Sequence, residues 1–255
     1  MSQRKRHVDG LPIILASASP RRSQLLAQAG IAFERFVVEV DEEGLSEAYR
    51  GPLLGLGEYL ACEKALATWR ALAARGDSDR RVLASDTTVL LAGRSLAKPA
   101  DHEEATAMLR QLRGREHTVA TGVALVDPAR GALQSATSAT RVKMRDFSDE
   151  EIATYVATGD PLDKAGAYSI QHPGFQPVET IQGCHLGVIG LPVCLVSAIV
   201  GGSGRMRVGT APLPHSGPDC PWSETCAAPY PFDRPGIHTR PLPALDDDEP
   251  REANG

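Results

Sequence analysis

The chain has 255 residues, a formal net charge of -5 and 42% hydrophobic residues, enough for one large domain or two small ones with a sizeable core. The acidic balance argues against a nucleic-acid polymer as the main partner, and no apolar run approaches the roughly 18 residues of a membrane span. Five cysteines, at positions 62, 184, 194, 220 and 226, are scattered without a CxxC pair, which predicts buried thiols rather than a disulfide framework.

Residues 1–10 read as a basic extension without the apolar stretch of a secretory signal, so the expected setting is cytoplasmic. Leu11 to Leu15 reads as a short buried strand, followed by Ser17-Ala-Ser-Pro-Arg-Arg-Ser23. Ser19 suits an N-cap, Pro20 the first helical position and Gly30 the position past the end, with Leu25, Leu26 and Ala29 at helical spacing between. Arg21 and Arg22 therefore fall in the first turn of a helix, where free N–H groups and the helix dipole already favour an anion. Two forked, permanently charged donors there suggest a phosphate clamp; a solvated arginine pair is the plainer reading.

Phe36 to Val40 reads as a strand, and Asp41-Glu-Glu43 as the acidic loop after it. Leu56 to Ala74 is a helix rich in Ala and Leu that carries Lys64. Val82 to Ser85 reads as a buried strand that Thr88 to Leu91 continues or follows, which puts Asp86 at a strand's carboxyl end, where ligands of open α/β sheets gather. A carboxylate there can hold a divalent metal or accept a proton from water, and one partner from the acidic loop, Glu42, would suit a magnesium ion carrying phosphates. Lys98 precedes Pro99, in an extended segment. Asp101 to Glu104 and Ser148 to Glu151 have the form of capping boxes opening helices that stop at Gly114 and Gly159. Thr118 to Val126 and Thr137 to Met144 read as paired strands joined through Asp127 to Gly131.

Lys164 follows in a glycine-containing stretch, and Gln171 offers an amide suited to a nucleobase edge. Gly190-Leu-Pro192 opens a last helix through Leu195, Val196 and Ile199. Neither GxGxxG nor GxxxxGK[ST] occurs. The alternation predicts an α/β domain with a mixed, twisted sheet flanked by helices over residues 11–202. Residues 203–255 hold ten of the 19 prolines and read as an irregular tail, poorly ordered or docked, with Cys220 to Trp222 and Pro229 to Phe232 as docking candidates. A metal knuckle from Cys220, Cys226, His215 and His238 matches no zinc spacing.

In this order, Leu15-Ala-Ser-Ala-Ser-Pro-Arg-Arg22, Ala84-Ser-Asp-Thr87, Lys98-Pro99 with Leu112-Arg-Gly114, and His117-Thr-Val-Ala-Thr-Gly122 resemble the Maf family of nucleoside triphosphate pyrophosphatases. Tyr155-Val-Ala-Thr-Gly-Asp-Pro161, Asp163-Lys-Ala-Gly-Ala-Tyr168, Ile170-Gln171 and Gly190-Leu-Pro192 continue the match to about residue 200. The resemblance implies a Maf/ITPase-like fold, a homodimer and a divalent metal, magnesium or manganese. It implies cleavage between the α and β phosphates to give a monophosphate and pyrophosphate. On the family's motif Asp86 is the proton acceptor, and Arg21, Thr87 and Gln171 fall on the positions tied to substrate choice. Ser19, Arg22, Lys64, Lys98 and Lys164 are the phosphate-binding candidates, and Asp86 with Glu42 the metal candidates.

Arg21 and Thr87 match the branch acting on dTTP and UTP, modified pyrimidine nucleotides included; the branch acting on 7-methyl-GTP carries Trp after the proline. A nucleotide-binding regulator of septum formation is the alternative outside catalysis. The chain departs from the pattern at Ser85, where Ala is usual, at Thr88, where Val is usual, and at His172 to Gln176, where Gly is usual after Gln171.

Overall fold

A computed structural model describes residues 11–201 and 236–245. The basic extension, Cys220, Cys226, His215 and the two docking candidates of the tail lie outside the described residues.

Strand β1, Ile13–Leu15, is three buried residues. It leads into α1, Pro20–Gln28, whose Leu25 and Leu26 face the core. The next strand is β2, Phe33–Arg35, pairing parallel to β1. The strand expected over 36–40 does not form. β1 is only three residues long, so beyond Arg35 the chain has no edge left to pair with. The acidic segment is likewise a helix rather than a loop: Asp41 caps α2, Glu42–Ala48, by accepting the Gly44 N–H at 2.9 Å, and Glu42 and Glu43 sit where the helix dipole favours negative charge.

Helix α3, Leu56–Ala73, lies across β3, Val82–Leu91, which is one continuous strand. β4, Arg94–Leu96, turns back on its end. Helix α4, His102–Leu112, begins with Asp101 accepting the Glu104 N–H at 2.8 Å. The long hairpin β5, Glu116–Asp127, and β6, Ala132–Met144, outruns the sequence expectation at both ends and pairs from Glu116↔Lys143 to Asp127↔Ala132. Helix α5, Asp149–Val156, opens with a complete Ser148–Glu151 capping box and buries Ile152, Tyr155 and Val156. β7, Val178–Gln182, is followed by α6, His185–Ile189, and α7, Val193–Gly201. Residues 238–241 return as β8, His238–Pro241, antiparallel to the start of β6. Of the tail, the described residues 236–245 thus dock through a strand.

The sheet runs β2-β1-β3-β5-β6-β7, with β4 on β3 and β8 on β6. Only the β1 pairings are parallel. Alternation along β3 sends Val82 and Ala84 to the core under α3, and Leu83 to the core under α1 and α7. Val89 and Leu91 join a third cluster with α4 and α5.

β3 also carries the feature that matters most for function. β5 covers one edge of it from Val82 to Leu90. On the other edge β1 pairs only at Val82 and Leu83, and β4 only from Val89 to Leu91. Residues 84–88 therefore have no strand neighbour on that edge. The sheet is split there, as it is at ligand crevices of open α/β folds.

Helix α3 comes very close to this opening. A Cβ on Gly122 would fall 2.2 Å from the Glu58 backbone nitrogen, and one on Gly57 would fall 3.1 Å from the Asp86 carbonyl oxygen. The two glycines let helix and sheet backbones touch, and roughly two turns further on the helix presents Lys64. Among the described residues no helix is long and apolar enough to cross a membrane.

Candidate active site

The alternation that sorts the core also sorts the cleft. Asp86 has the parity of Val82 and Ala84 and turns toward α3; Ser85 and Thr87 turn toward α1 and α6.

On the α3 side, the Lys64 ammonium donates to Asp86 Oδ1 at 2.6 Å and lies 2.9 Å from Glu42 Oε1. Burial pushes the Glu42 carboxyl up, but the Lys64 ammonium, with Lys98 and Arg22 behind it, outweighs burial and holds it below its ordinary value. Asp86 and Glu42, 44 positions apart, thus meet on one cation, with exposed Lys98 acting on the same carboxylate.

On the other side, Arg22 lies in the first turn of α1. Its Nε donates to the Gly190 carbonyl at 3.0 Å, one terminal nitrogen donates to Ser17 Oγ at 3.1 Å, and the other makes a long 3.5 Å contact with Thr87 Oγ1. Burial lowers its pKa, Asp86 and Glu42 oppose that, and Arg21 adds to it. An arginine so placed stays charged. The interaction with Asp86 and Glu42 puts the guanidinium and the carboxylate pair in one electrostatic site.

Ser19 is the N-cap residue of α1, but its side chain makes no capping bond; the Ser19 N–H instead donates to Ser17 Oγ at 3.2 Å. Arg21 is partly exposed and lies 3.7 Å from the Asp163 carboxylate. Lys164 is placed differently from the other cations. It is buried, and its ammonium donates to the Asp160 carbonyl and carboxylate and to the Asp163 carboxylate, at 2.5 to 2.9 Å. Among the phosphate-binding candidates, Lys164 is thus already engaged by two acids of its own segment. Burying an ammonium requires partners, and two acids supply them.

Gln171 is exposed; its N–H donates to Ser169 Oγ at 3.2 Å, and it lines a small cavity with His172, Gln176 and Val178 rather than the Asp86 cluster. A larger cavity of about 720 Å³, lined by Tyr49, Tyr59, Glu58, Cys62, His238 and Arg240, holds none of the catalytic, specificity or phosphate-binding candidates. Glu58 there accepts from Ser135 and Thr137 at 2.7 Å and faces His238 Nδ1 at 2.6 Å, which is where the structure puts the knuckle's His238. Cys62, Cys184 and Cys194 are buried, as expected.

Three contributors were given no role in the site from the sequence. Ser17 holds Arg22. Ser85 is fully buried and its hydroxyl reaches the Gly122 and Gly190 carbonyls at 2.9 and 3.0 Å. Thr121 sits directly across the ladder from Thr87, hydroxyl to hydroxyl at 3.0 Å. Each lies inside a quoted motif, but only the folded chain shows which neighbour it meets.

Among the described residues no group of three or more His, Cys, Asp or Glu side chains is gathered for a metal. The hard oxygen donors available at the cleft are the Asp86 and Glu42 carboxylates, which already share a cation.

Comparison with known proteins bears on this geometry. The family model described as Maf-like protein matches residues 12–201. A protein from Pelotomaculum thermopropionicum named dTTP/UTP pyrophosphatase is 45% identical over 184 residues, covering 71% of this chain and 91% of that protein. Proteins of the same name from Shigella dysenteriae and Geobacter metallireducens are 45% and 44% identical, covering 71% and 72% of this chain and 87% and 92% of theirs. Among solved structures, a HAM1 protein from Coxiella burnetii aligns with a TM-score of 0.36 at 15% identity, covering 54% of this chain and 74% of that one, a likeness too slight to argue from.

Proposed function

The chain belongs to the Maf-like protein family, matched from residue 12 to residue 201, and on that premise we propose that it is a nucleoside triphosphate pyrophosphatase that hydrolyses dTTP and UTP to the monophosphate and pyrophosphate. The observation that carries this reading is the Asp86–Lys64–Glu42 cluster at the split edge of β3, with the Arg22 guanidinium in its field. The relatives' names support the choice of nucleobase.

Phosphoryl transfer asks a protein for positioning and charge neutralisation more than for covalent chemistry. The uncapped first turn of α1, with Arg21 beside it, suits the triphosphate tail, and Lys98 adds a cation from the opposite side. Arg22, anchored by Ser17 and Gly190, is a fixed positive floor that needs no reorganisation. Asp86 orients the attacking water and accepts its proton, and Lys64 holds that carboxylate in place. The Asp86 and Glu42 carboxylates fit a magnesium or manganese ion completed by phosphate and water oxygens; bound there, it would polarise the reacting phosphate. Arg21, Thr87 and Gln171 set substrate choice in this reading, as the motif resemblance implies. A homodimer in the cytoplasm belongs to the same reading, and sedimentation of the purified chain tests the first part.

The deciding experiment is a nucleotide panel on the purified chain, with released pyrophosphate as the readout. dTTP and UTP should be preferred over 7-methyl-GTP, and Asp86→Asn, which keeps the shape and removes the charge, should cut turnover at least ~100-fold. A folded Asp86→Asn variant with near-normal turnover removes the role given to this acid.

A further inference from the structure

Proton bookkeeping at the floor of the cleft has only one solution. The Thr121 hydroxyl is fully buried and lies 2.7 Å from the Gly187 carbonyl, which can only accept, so the Thr121 proton points at Gly187. The same carbonyl takes the Gly190 N–H at 3.0 Å, which fixes it where the last turn of α6 ends. With its own proton spent, Thr121 Oγ1 can only accept from Thr87 Oγ1, 3.0 Å away. The Thr87 proton therefore points inward. Toward Arg22 and the cleft, half-buried Thr87 presents lone pairs alone, as its 3.5 Å contact with an Arg22 donor also requires.

A hydroxyl held this way recognises donors and rejects acceptors. Thymine and uracil share a ring N3–H between two carbonyls; cytosine has an unprotonated N3, an acceptor, in the same place. Building on the pyrophosphatase reading above, in which Thr87 helps set substrate choice, we propose that Thr87 does so by facing the base and that Thr121 is a specificity-determining positioning residue. It never touches the substrate. By sending its proton to the Gly187 carbonyl it makes Thr87 an obligate acceptor, and so selects pyrimidine triphosphates with an N3–H donor over cytidine nucleotides. A site built to pair with a donor discriminates because the wrong base leaves an acceptor facing an acceptor.

The test measures kcat/KM for UTP, dTTP and CTP with the wild-type chain, Thr121→Val and Thr121→Ser. Valine keeps the shape and removes the hydroxyl, which frees the Thr87 proton to turn outward. The UTP-to-CTP ratio should fall about tenfold, the worth of one neutral hydrogen bond, and serine should restore it. A structural role alone would lower all three substrates together. Thr121→Ala serves the same purpose should valine prevent folding. A wild-type enzyme that cleaves UTP and CTP equally, or a folded Thr121→Val variant with the wild-type ratio, overturns the proposal. A wild-type chain that cleaves neither dTTP nor UTP overturns the pyrophosphatase reading instead.

Discussion

Lys64 stands between two carboxylates, and the two are not equivalent. Asp86 is 11% exposed in its side chain and sits on a buried strand, whereas Glu42 is 46% exposed on the first turn of α2. The ammonium is thus fixed by Asp86 and shared outward with Glu42. Because the folded Glu42 carboxyl titrates below its ordinary 4.5, its ionised form stabilises the fold above that pH, and the contribution is lost as pH falls through the lower, folded value. Glu42→Gln should therefore melt lower than wild type at neutral pH by a gap that stays constant down to about pH 5 and closes below it. Melting curves of the two proteins between about pH 7 and about pH 3 check this; a gap that persists at the acid end means the Lys64 contact is not what holds that carboxylate ionised. The effect should be small, since a half-exposed pair is screened by solvent.

At the scale of elements, the working surface comes from unequal strand lengths: β1 stops after Leu15 while β3 runs on to Leu91. The sequence showed both strands as apolar runs, and it showed Asp86 and Thr87 inside the longer one. It did not show the open edge, because that depends on where β1 and β4, some 80 positions apart, leave β3 unpaired. Nor did it show α2, since the capping bond of Asp41 outweighs an acidic composition that otherwise reads as loop.

The loop after α5 is tied to the sheet by another contact that only register reveals: His117 Nε2 on β5 meets the Tyr168 hydroxyl at 2.7 Å. Burial pushes His117 down to about 4 from 6.5, and its Nδ1 finds no partner among the described residues. The folded state therefore holds a neutral imidazole while the unfolded chain takes up the proton first. Stability is full above pH 6.5 and declines as pH falls toward about 4. At about 1.4 kcal/mol per unit, that window corresponds to a loss of about 3 kcal/mol. His117→Gln, which keeps a polar group for Tyr168 but does not titrate, should flatten unfolding free energy against pH across this window. An unchanged slope in urea titrations would assign the acid loss to the carboxylates instead.

For the molecule as a whole, the question is whether the family domain and the returning tail act together. β8 lies outside the matched residues 12–201, yet it adds four pairings to the free edge of β6, from Ala132↔Pro241 to Ser135↔His238. Its neighbour Leu242 packs on the core under α3, with its N–H on the Gly131 carbonyl at 3.0 Å. His238 reaches Glu58 and Arg240 reaches the Cys62 sulfur at 3.1 Å, both on α3. Residues 236–245 therefore brace the helix that carries Lys64, but from Glu58 and Cys62; among the described residues none of their hydrogen bonds falls on Asp86, Glu42, Arg22 or Thr87.

Half-burial of one leucine contributes about 1 kcal/mol, and edge hydrogen bonds add about as much each before the entropy of ordering the strand is subtracted. A net gain of about 1–2 kcal/mol corresponds to roughly 2–8 °C for a domain of this size. A chain ending at residue 202 should thus melt a few degrees lower and turn over dTTP within about twofold of the full chain. The two readouts separate the possibilities. A lower melting temperature with intact turnover makes β8 a brace. A large loss of turnover in a truncated chain that still melts cooperatively would mean that α3 needs its first turns held for Lys64 to meet Asp86, and the tail would then belong to the catalytic unit.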